Sequence, residues 1–84
     1  MVKLLFFARL REDLGTSAEE LALPPGVTTV ASLRAHLMAR GGAWSSVLAN
    51  GKALRVAVNQ DMADPATPVK AGDEVAFFPP VTGG

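Results

Sequence analysis

Residues 28–42, TTVASLRAHLMARGG, contain the clearest periodic pattern in the chain and decide how the rest of it can fold. Four apolar residues recur at i, i+3, i+7 and i+8, the spacing of one helix face: Val30, Leu33, Leu37 and Met38. Thr28 or Thr29 can cap the start of this helix, and Gly41 can end it. We therefore expect one main helix that buries a single apolar stripe.

Strand-forming segments lie on both sides of this helix: VKLLFFA (2–8), EELALP (19–24), LRVAVN (54–59) and EVAFF (74–78). The first is apolar apart from Lys3, which favours a central strand buried on both faces. Gly15 is the turn residue of the polar connection that follows, so the first two segments can pair as a hairpin. The order β-β-α-β-β in a short chain predicts an α+β fold, with one mixed sheet covered on one face by a single main helix.

Two other segments carry weaker signals. AWSSVLANG (43–51) favours one helical turn closed by Asn50 and Gly51, with Trp44 filling the edge of the core beside the helix. DMADPATPVKAGDE (61–74) holds two prolines and an Ala-Gly-Asp turn signal. We expect this second segment to be a loop with at most a short strand pairing.

The aromatic residues of the first and last strands indicate a contact surface. Side chains alternate between the two faces of a strand, so Phe6 and Phe7 must point in opposite directions, as must Phe77 and Phe78. If one helix covers one face, the rings on the other face form an exposed apolar patch, which on a small protein usually marks a partner surface. Alternatively, the loop that carries Met62 folds over these rings and buries them.

The last six residues, PPVTGG (79–84), follow the final strand directly. Proline has no backbone N–H, so the strand must end at about Phe78 and the chain must leave the sheet in an extended conformation. At about 3.3 Å per extended residue, this segment reaches at most roughly 20 Å. Gly83 and Gly84 have no side chain, so the terminal carboxylate can pass through a channel too narrow for a β-carbon. Such a carboxylate is accessible, although it is a poor electrophile until it is activated.

Composition excludes several classes of function. A chain of 84 residues has room for one domain. With 8 Lys plus Arg, 8 Asp plus Glu and no basic block, it is not expected to bind nucleic acid. The apolar run from Leu4 to Ala8 is too short for a signal peptide or a membrane span, so we expect no membrane association and a location in the cytoplasm. His36 stands alone and the carboxylates are scattered, which predicts no metal site and no catalytic group.

The chain resembles a known family along essentially its whole length. KLLFFARLRE (3–12), LRAHL (33–37), VAVNQ (56–60) and above all GDEVAFFPPVTGG (72–84) are similar to the small subunits of molybdopterin synthase. These are sulfur-carrier proteins with the β-grasp, ubiquitin-like fold. The resemblance implies a β-grasp domain over residues 1–78 and a flexible tail over residues 79–84.

The resemblance also implies a chemistry for the tail. In that family the carboxylate of the terminal glycine, here Gly84, is adenylated by an E1-like activating enzyme that uses ATP, and a sulfur donor protein then converts it to a thiocarboxylate. The sulfur passes to cyclic pyranopterin monophosphate inside the large subunit, which the tail enters. The inserted residues would be Pro79, Pro80, Val81, Thr82 and Gly83. The chain has no cysteine, so sulfur that it carries must sit on a carbonyl carbon.

The partners implied by the resemblance are proteins. Two small and two large subunits would form a heterotetramer, with Phe7, Met62 and Phe78 of the small subunit at the interface. The small subunit would bind no cofactor and would have no active site of its own. Two alternatives remain open: a sulfur carrier that serves thiazole synthesis, and a ubiquitin-like modifier or plain interaction module in which Gly84 forms an isopeptide bond or does nothing.

Overall fold

The chain folds into a single sheet with helices packed on it. The structure, a computed structural model, describes residues 1–49 and 54–79. These residues form five strands: β1 (Val2–Phe6), β2 (Ala18–Leu21), β3 (Arg55–Val58), β4 (Asp61–Ala63) and β5 (Glu74–Phe78). They also form three helices: α1 (Arg9–Leu14), α2 (Val30–Met38) and α3 (Gly42–Val47). None of the helices in these ranges is long and apolar enough to cross a membrane.

The sheet is mixed, with strand order β2-β1-β5-β3-β4. β1 and β5 run parallel at its centre, while the β1–β2, β3–β5 and β3–β4 pairs are antiparallel. The buried core lies between one face of this sheet and α2, and its largest fully buried side chains are Phe6, Phe77, Leu4, Leu33, Leu37, Leu48, Val2 and Val75. The predicted α+β architecture, with a mixed sheet and one main helix on one face, is confirmed.

Helix α2 begins with a capping box. The Thr29 hydroxyl accepts a hydrogen bond from the Ser32 backbone N–H at 3.2 Å, and the Ser32 hydroxyl accepts one from the Thr29 N–H at 2.9 Å. This reciprocal arrangement satisfies two backbone donors that no helical carbonyl can reach. At the other end, Gly41 adopts a positive φ of 78° and donates to the carbonyl of Met38 at 3.1 Å. The predicted helix and its Thr29 cap are confirmed. The predicted end at Gly41 is wrong, because the helix ends at Met38 with Ala39 as its C-cap, and Gly41 instead stands at the start of α3.

Strand β1 is central in the sheet but is not buried on both faces, so that prediction is wrong. Val2, Leu4 and Phe6 are buried, whereas Lys3 is exposed and Leu5 is half-buried. The reason is that the helices cover only the face to which Val2, Leu4 and Phe6 point. An apolar run in a strand therefore does not show that both of its faces are covered.

The connection between β1 and β2 contains a helix that was not predicted. β1 and β2 do pair as expected, but α1 stands between them and ends at Gly15, which has φ 74°. Leu10 of α1 is 5% exposed and belongs to the core, and Leu14 packs against it. Leu10 and Leu14 are spaced i, i+4, which was the signal for this helical turn.

The weaker segments behave largely as predicted. α3 accounts for the helical turn after residue 42, and β4 is the short pairing within the loop from Asp61. α3 ends at Val47 with Leu48 as its C-cap, which is earlier than the expected end at Asn50 and Gly51. Asn50 and Gly51 themselves lie outside the described residues, as does the tail beyond Pro79. The division into a domain over residues 1–78 and a tail over residues 79–84 stays a prediction.

Candidate functional site

Four phenylalanines form two stacked pairs on opposite faces of the sheet. Phe6 and Phe77 stack at a centroid distance of 5.6 Å and are 1% and 0% exposed. Phe7 and Phe78 stack at 4.9 Å with their rings inclined by 6°, and Phe7 is 41% exposed. Parallel pairing of β1 with β5 places Phe6 beside Phe77. Because side chains alternate between the two faces, the next residues, Phe7 and Phe78, point to the other face. The predicted division of the rings between core and outer surface is confirmed.

The outer pair belongs to a shallow depression of about 400 Å³ on the face of the sheet that α2 does not cover. We call this surface the open face, and its lining residues are Leu5, Phe7, Ala57, Gln60, Met62, Glu74, Ala76 and Phe78. Ala57 and Ala76 are cross-strand partners, and both are buried although no helix lies over them. Their small side chains form the floor, with the larger apolar side chains around it.

Met62 lies within the open face and is 64% exposed. The alternative in which the loop carrying Met62 buries the rings is therefore wrong. Met62 stands on β4, which is the edge strand of the sheet, and it is the cross-strand partner of Ala57. A side chain in that position rims the depression and leaves the Phe7–Phe78 pair accessible.

The structure thus brings Phe7, Met62 and Phe78 together on one exposed apolar surface. That these residues contact a partner stays a prediction. Sequence reasoning missed Leu5, Ala57 and Ala76. Two of them follow from the alternation that singled out the rings, because Leu5 and Ala76 are each two residues before a phenylalanine of the outer pair. Ala57 follows only from the strand register, which pairs it with Ala76.

The chain leaves the sheet directly beside the open face. The Phe7 N–H donates to the carbonyl of Phe77 at 3.2 Å, and β5 ends at Phe78 as predicted. Pro79 is half-buried and is the last described residue. The other tail residues of the predicted site lie outside the described part of the chain: Pro80, Val81, Thr82, Gly83 and Gly84.

Hydrogen bonds of two polar side chains, Asn59 and Asp73, hold the β3–β4 turn against the start of β5, the end of this strand that is farther from the tail. Asn59 donates from Nδ2 to Asp73 Oδ1 at 3.0 Å, and the Lys70 backbone N–H donates to Asp73 Oδ2 at 2.9 Å. Asn59 Oδ1 also accepts from the Glu74 N–H at 3.0 Å. These hydrogen bonds favour the charged carboxylate, and the one from Asn59 contributes most to lowering the pKa of Asp73 below its ordinary 3.8. These hydrogen bonds fix the β3–β4 turn against β5.

Trp44 connects α3 to the core and to the edge of the sheet. Its ring meets that of Phe6 edge-on at 5.4 Å, and the Arg40 guanidinium lies 4.4 Å from its centroid. Arg40 in turn forms a bidentate ion pair with Glu19 on β2. The hydrogen bonds from its guanidinium lower the pKa of the Glu19 carboxyl. The expected place of Trp44 at the core edge is confirmed. In the two described ranges, no group of three or more His, Cys, Asp or Glu side chains could hold a metal ion.

Comparison with known proteins gives matches along the whole chain. The sequence model of the ThiS family matches residues 4–84. The molybdopterin synthase sulfur carrier subunit of Escherichia coli (strain K12) is 50% identical over 84 residues, which is 100% of each chain. The crystal structure of small archaeal modifier protein 1 from Haloferax volcanii is 28% identical with a TM-score of 0.78, covering 95% of this chain and 97% of that one.

A further solved structure contains two different subunits. It is a protein–protein complex of subunits 1 and 2 of the molybdopterin-converting factor from Helicobacter pylori 26695. The matching chain is 25% identical with a TM-score of 0.66, covering 99% of this chain and 97% of that one. The family model thus covers residues 4–84, and the fold of small archaeal modifier protein 1 matches 95% of this chain. The expectation of a β-grasp, ubiquitin-like fold is confirmed.

Proposed function

The chain belongs to the ThiS family, and on that premise we propose that it is the sulfur carrier subunit of a molybdopterin synthase. The observation that carries the proposal is the open face, an exposed apolar surface that ends at the residue before the Pro-Pro-Val-Thr-Gly-Gly tail. The Escherichia coli relative that is identical at half of its positions has this function in its name. A carrier needs a docking surface beside a reactive end, and the proposal gives these roles to the open face and to the tail that follows Phe78 directly in the sequence.

The partner proposed for the open face is the large subunit of the synthase. Aromatic residues and methionine are enriched at the cores of protein interfaces, and Phe7, Met62 and Phe78 supply both kinds. The Helicobacter pylori relative is a complex of subunits 1 and 2, which supports a partner of this type. We propose that two small and two large subunits assemble, with the tail residues Pro79 to Gly83 extending from each open face into a large subunit.

The proposed chemistry takes place at the carboxylate of Gly84. A carboxylate oxygen attacks the α-phosphorus of ATP in an E1-like activating enzyme, and pyrophosphate leaves. A persulfide on a donor protein then attacks the acyl carbon and AMP leaves, which gives an acyl disulfide. A thiol attacks the donor-side sulfur of this disulfide, so that the S–S bond breaks, the thiocarboxylate is released and the donor is left as a disulfide. The thiocarboxylate sulfur attacks a carbon of cyclic pyranopterin monophosphate and an oxygen substituent of that carbon leaves, so that a C–S bond replaces a C–O bond. Water then cleaves the acyl–sulfur bond, which leaves the sulfur on the product and regenerates the carboxylate. Two sulfurs are needed for each product, so two loaded carriers are used.

In this scheme the chain carries the sulfur on its tail and brings it to the large subunit, while the catalytic groups belong to the partner proteins. The activating enzyme binds ATP, and the chain binds no cofactor of its own. These steps would take place in the cytoplasm.

Intact mass spectrometry tests the proposal. The full chain is incubated with an activating enzyme, ATP and a sulfur donor, and its mass is measured. Exchange of one oxygen for one sulfur is the expected result, and adding the large subunit and the pyranopterin precursor should yield the dithiolene product. A chain that loads sulfur but yields product only with thiazole-forming enzymes would instead be a carrier for thiazole synthesis.

A second candidate function is protein modification. It is favoured by the similarity to the crystal structure of small archaeal modifier protein 1. The same mass experiment separates the two functions, because a modifier would form isopeptide adducts on lysine side chains. An unchanged terminal carboxylate together with such adducts would contradict the sulfur-carrier proposal.

A further inference from the structure

One side chain of the open face is chemically different from the rest, because Met62 carries a thioether. The chain has three methionines and no cysteine, so these thioethers are its only side-chain sulfurs. They differ in accessibility: Met62 is 64% exposed and Met1 is 63% exposed, while Met38 is half-buried against the core. Met62 is therefore open to small oxidants, and among the three it is the one that lines the open face.

The exposure of Met62 follows from its place in the fold. β4 is only three residues long and pairs on one side only, with β3, so no further strand of the described chain lies beyond it. None of the helices α1 to α3 covers this face, and the cross-strand neighbour of Met62 is the small residue Ala57. These features leave the sulfur accessible in the free protein, whereas a bound partner on the open face would cover it.

We propose that Met62 is an oxidation site that controls docking of the large subunit on the open face, an inference that rests on the proposed function. The oxidant is a peroxide. Its distal oxygen bonds to the sulfur lone pair as the O–O bond breaks, so the thioether is oxidised to a sulfoxide and hydrogen peroxide is reduced to water. A methionine sulfoxide reductase supplied with a thiol reductant reverses the change: the sulfoxide oxygen leaves as water and two thiols are oxidised to a disulfide.

The effect on docking follows from polarity. A thioether is an adaptable apolar group that packs well against aromatic side chains. A sulfoxide carries a strongly polar oxygen that must give up its water when the partner covers it. The open face offers few hydrogen-bond partners to replace that water, since six of its eight lining residues are apolar and the two polar ones are Gln60 and Glu74. Oxidation should therefore weaken docking and leave the fold intact, because the oxidised side chain is not in the core.

The test uses the full chain with an ordinary terminal carboxylate, so that oxidation of a thiocarboxylate does not interfere. The chain is treated with limiting hydrogen peroxide, and peptide mapping identifies which methionines have gained an oxygen atom. Titration calorimetry then measures its affinity for the large subunit before treatment, after treatment and after incubation with the reductase. We expect Met62 to be oxidised well before Met38, the affinity to fall roughly tenfold, and the reductase to restore it.

Two variants assign the effect to Met62. In Met62→Leu, whatever its affinity before treatment, the peroxide should leave that affinity unchanged although Met1 is still oxidised. In Met62→Gln, a polar side chain should reproduce the loss without any oxidant. Circular dichroism should show the same fold throughout.

Equal affinities for the oxidised and unoxidised chains would overturn the inference and leave the proposed function standing. An equal loss in peroxide-treated Met62→Leu would also overturn it, because another residue would then be responsible. If the unoxidised chain does not bind the large subunit at all, the proposed function fails and the inference fails with it.

Discussion

The two phenylalanine pairs place identical side chains in opposite environments, one in the core and one on the open face. Phe77 is 0% exposed and packs against Phe6, whereas Phe78 is half-buried and packs against the exposed Phe7. The same substitution in each pair should therefore have different consequences. Core truncations cost stability, while truncation of a central interface side chain costs binding.

We predict that Phe77→Leu lowers the free energy of unfolding by roughly 1 to 3 kcal/mol, because it leaves a gap in the core. Phe78→Leu should cost less stability but weaken binding to the large subunit by about 2 kcal/mol. Urea denaturation and titration calorimetry on both variants measure the two quantities. If Phe78→Leu bound as tightly as the unchanged chain, the open face would not be the docking surface.

Asp73 makes a pH-dependent contribution to stability. Its pKa is lowered in the folded chain, chiefly by the hydrogen bond from Asn59, so its stabilising effect is fully present above the ordinary value of 3.8. The effect is lost as the pH falls through the lowered pKa. Asp73→Asn keeps the size of the side chain but replaces one acceptor oxygen by a donor, and it should cost about 1 kcal/mol at neutral pH.

The difference in unfolding free energy between the unchanged chain and Asp73→Asn should shrink as the pH is lowered below 3.8. Urea denaturation at a series of pH values measures it. A difference that stayed constant down to the acid limit would show that the carboxylate charge does not stabilise the turn.

At the scale of elements, the start of α2 is defined by hydrogen bonds between residues that are neighbours in the sequence. Its capping box uses Thr29 and Ser32, whereas the neighbouring Thr28 contributes only backbone groups among the described hydrogen bonds. Thr29→Ala should therefore lower the free energy of unfolding by about 1 kcal/mol, the usual cost of losing such a cap. Thr28→Ala is the matched control and should change it by less than about 0.5 kcal/mol. Equal effects would mean that the capping box contributes nothing measurable.

Local pattern predicted some elements better than others. α2 has an apolar stripe and a threonine cap in its sequence, so the helix and its start were predicted, although it ends at Met38 and not at Gly41. β5 is bounded by a turn glycine and by proline, so both of its ends were predicted. α1 was missed because its six residues hold only one pair of leucines at helical spacing, of which Leu10 is buried in the core and Leu14 packs against it. A short helix of this kind is defined by what it packs against.

At the scale of the whole molecule, the proposed function depends on a free carboxylate at the end of the chain. Adding one alanine after Gly84 moves the carboxylate onto a residue with a β-carbon. It should abolish formation of the thiocarboxylate at Gly84. The added residue follows Gly84, outside the secondary-structure elements that the structure describes, so it should leave the circular dichroism and thermal unfolding of the chain unchanged. Intact mass after incubation with the activating enzyme, ATP and sulfur donor is the measurement.

One residue added before Met1 is the control for that experiment, and it should load sulfur normally. Full sulfur transfer by the chain extended at Gly84 would contradict the proposal that the reaction occurs at the terminal carbonyl.

The sequence by itself determined the features that short-range physics can specify: the apolar stripe and threonine N-cap of α2, the alternation that sends neighbouring phenylalanines to opposite faces, and the strand end at Phe78 before two prolines. Only the tertiary structure decided which face stays uncovered. Parallel pairing of β1 with β5 brings residues from the two ends of the chain side by side, and with them Phe7 beside Phe78. The reason is that strand register between distant segments is set by which side chains pack beneath the helix, and no local pattern contains that information.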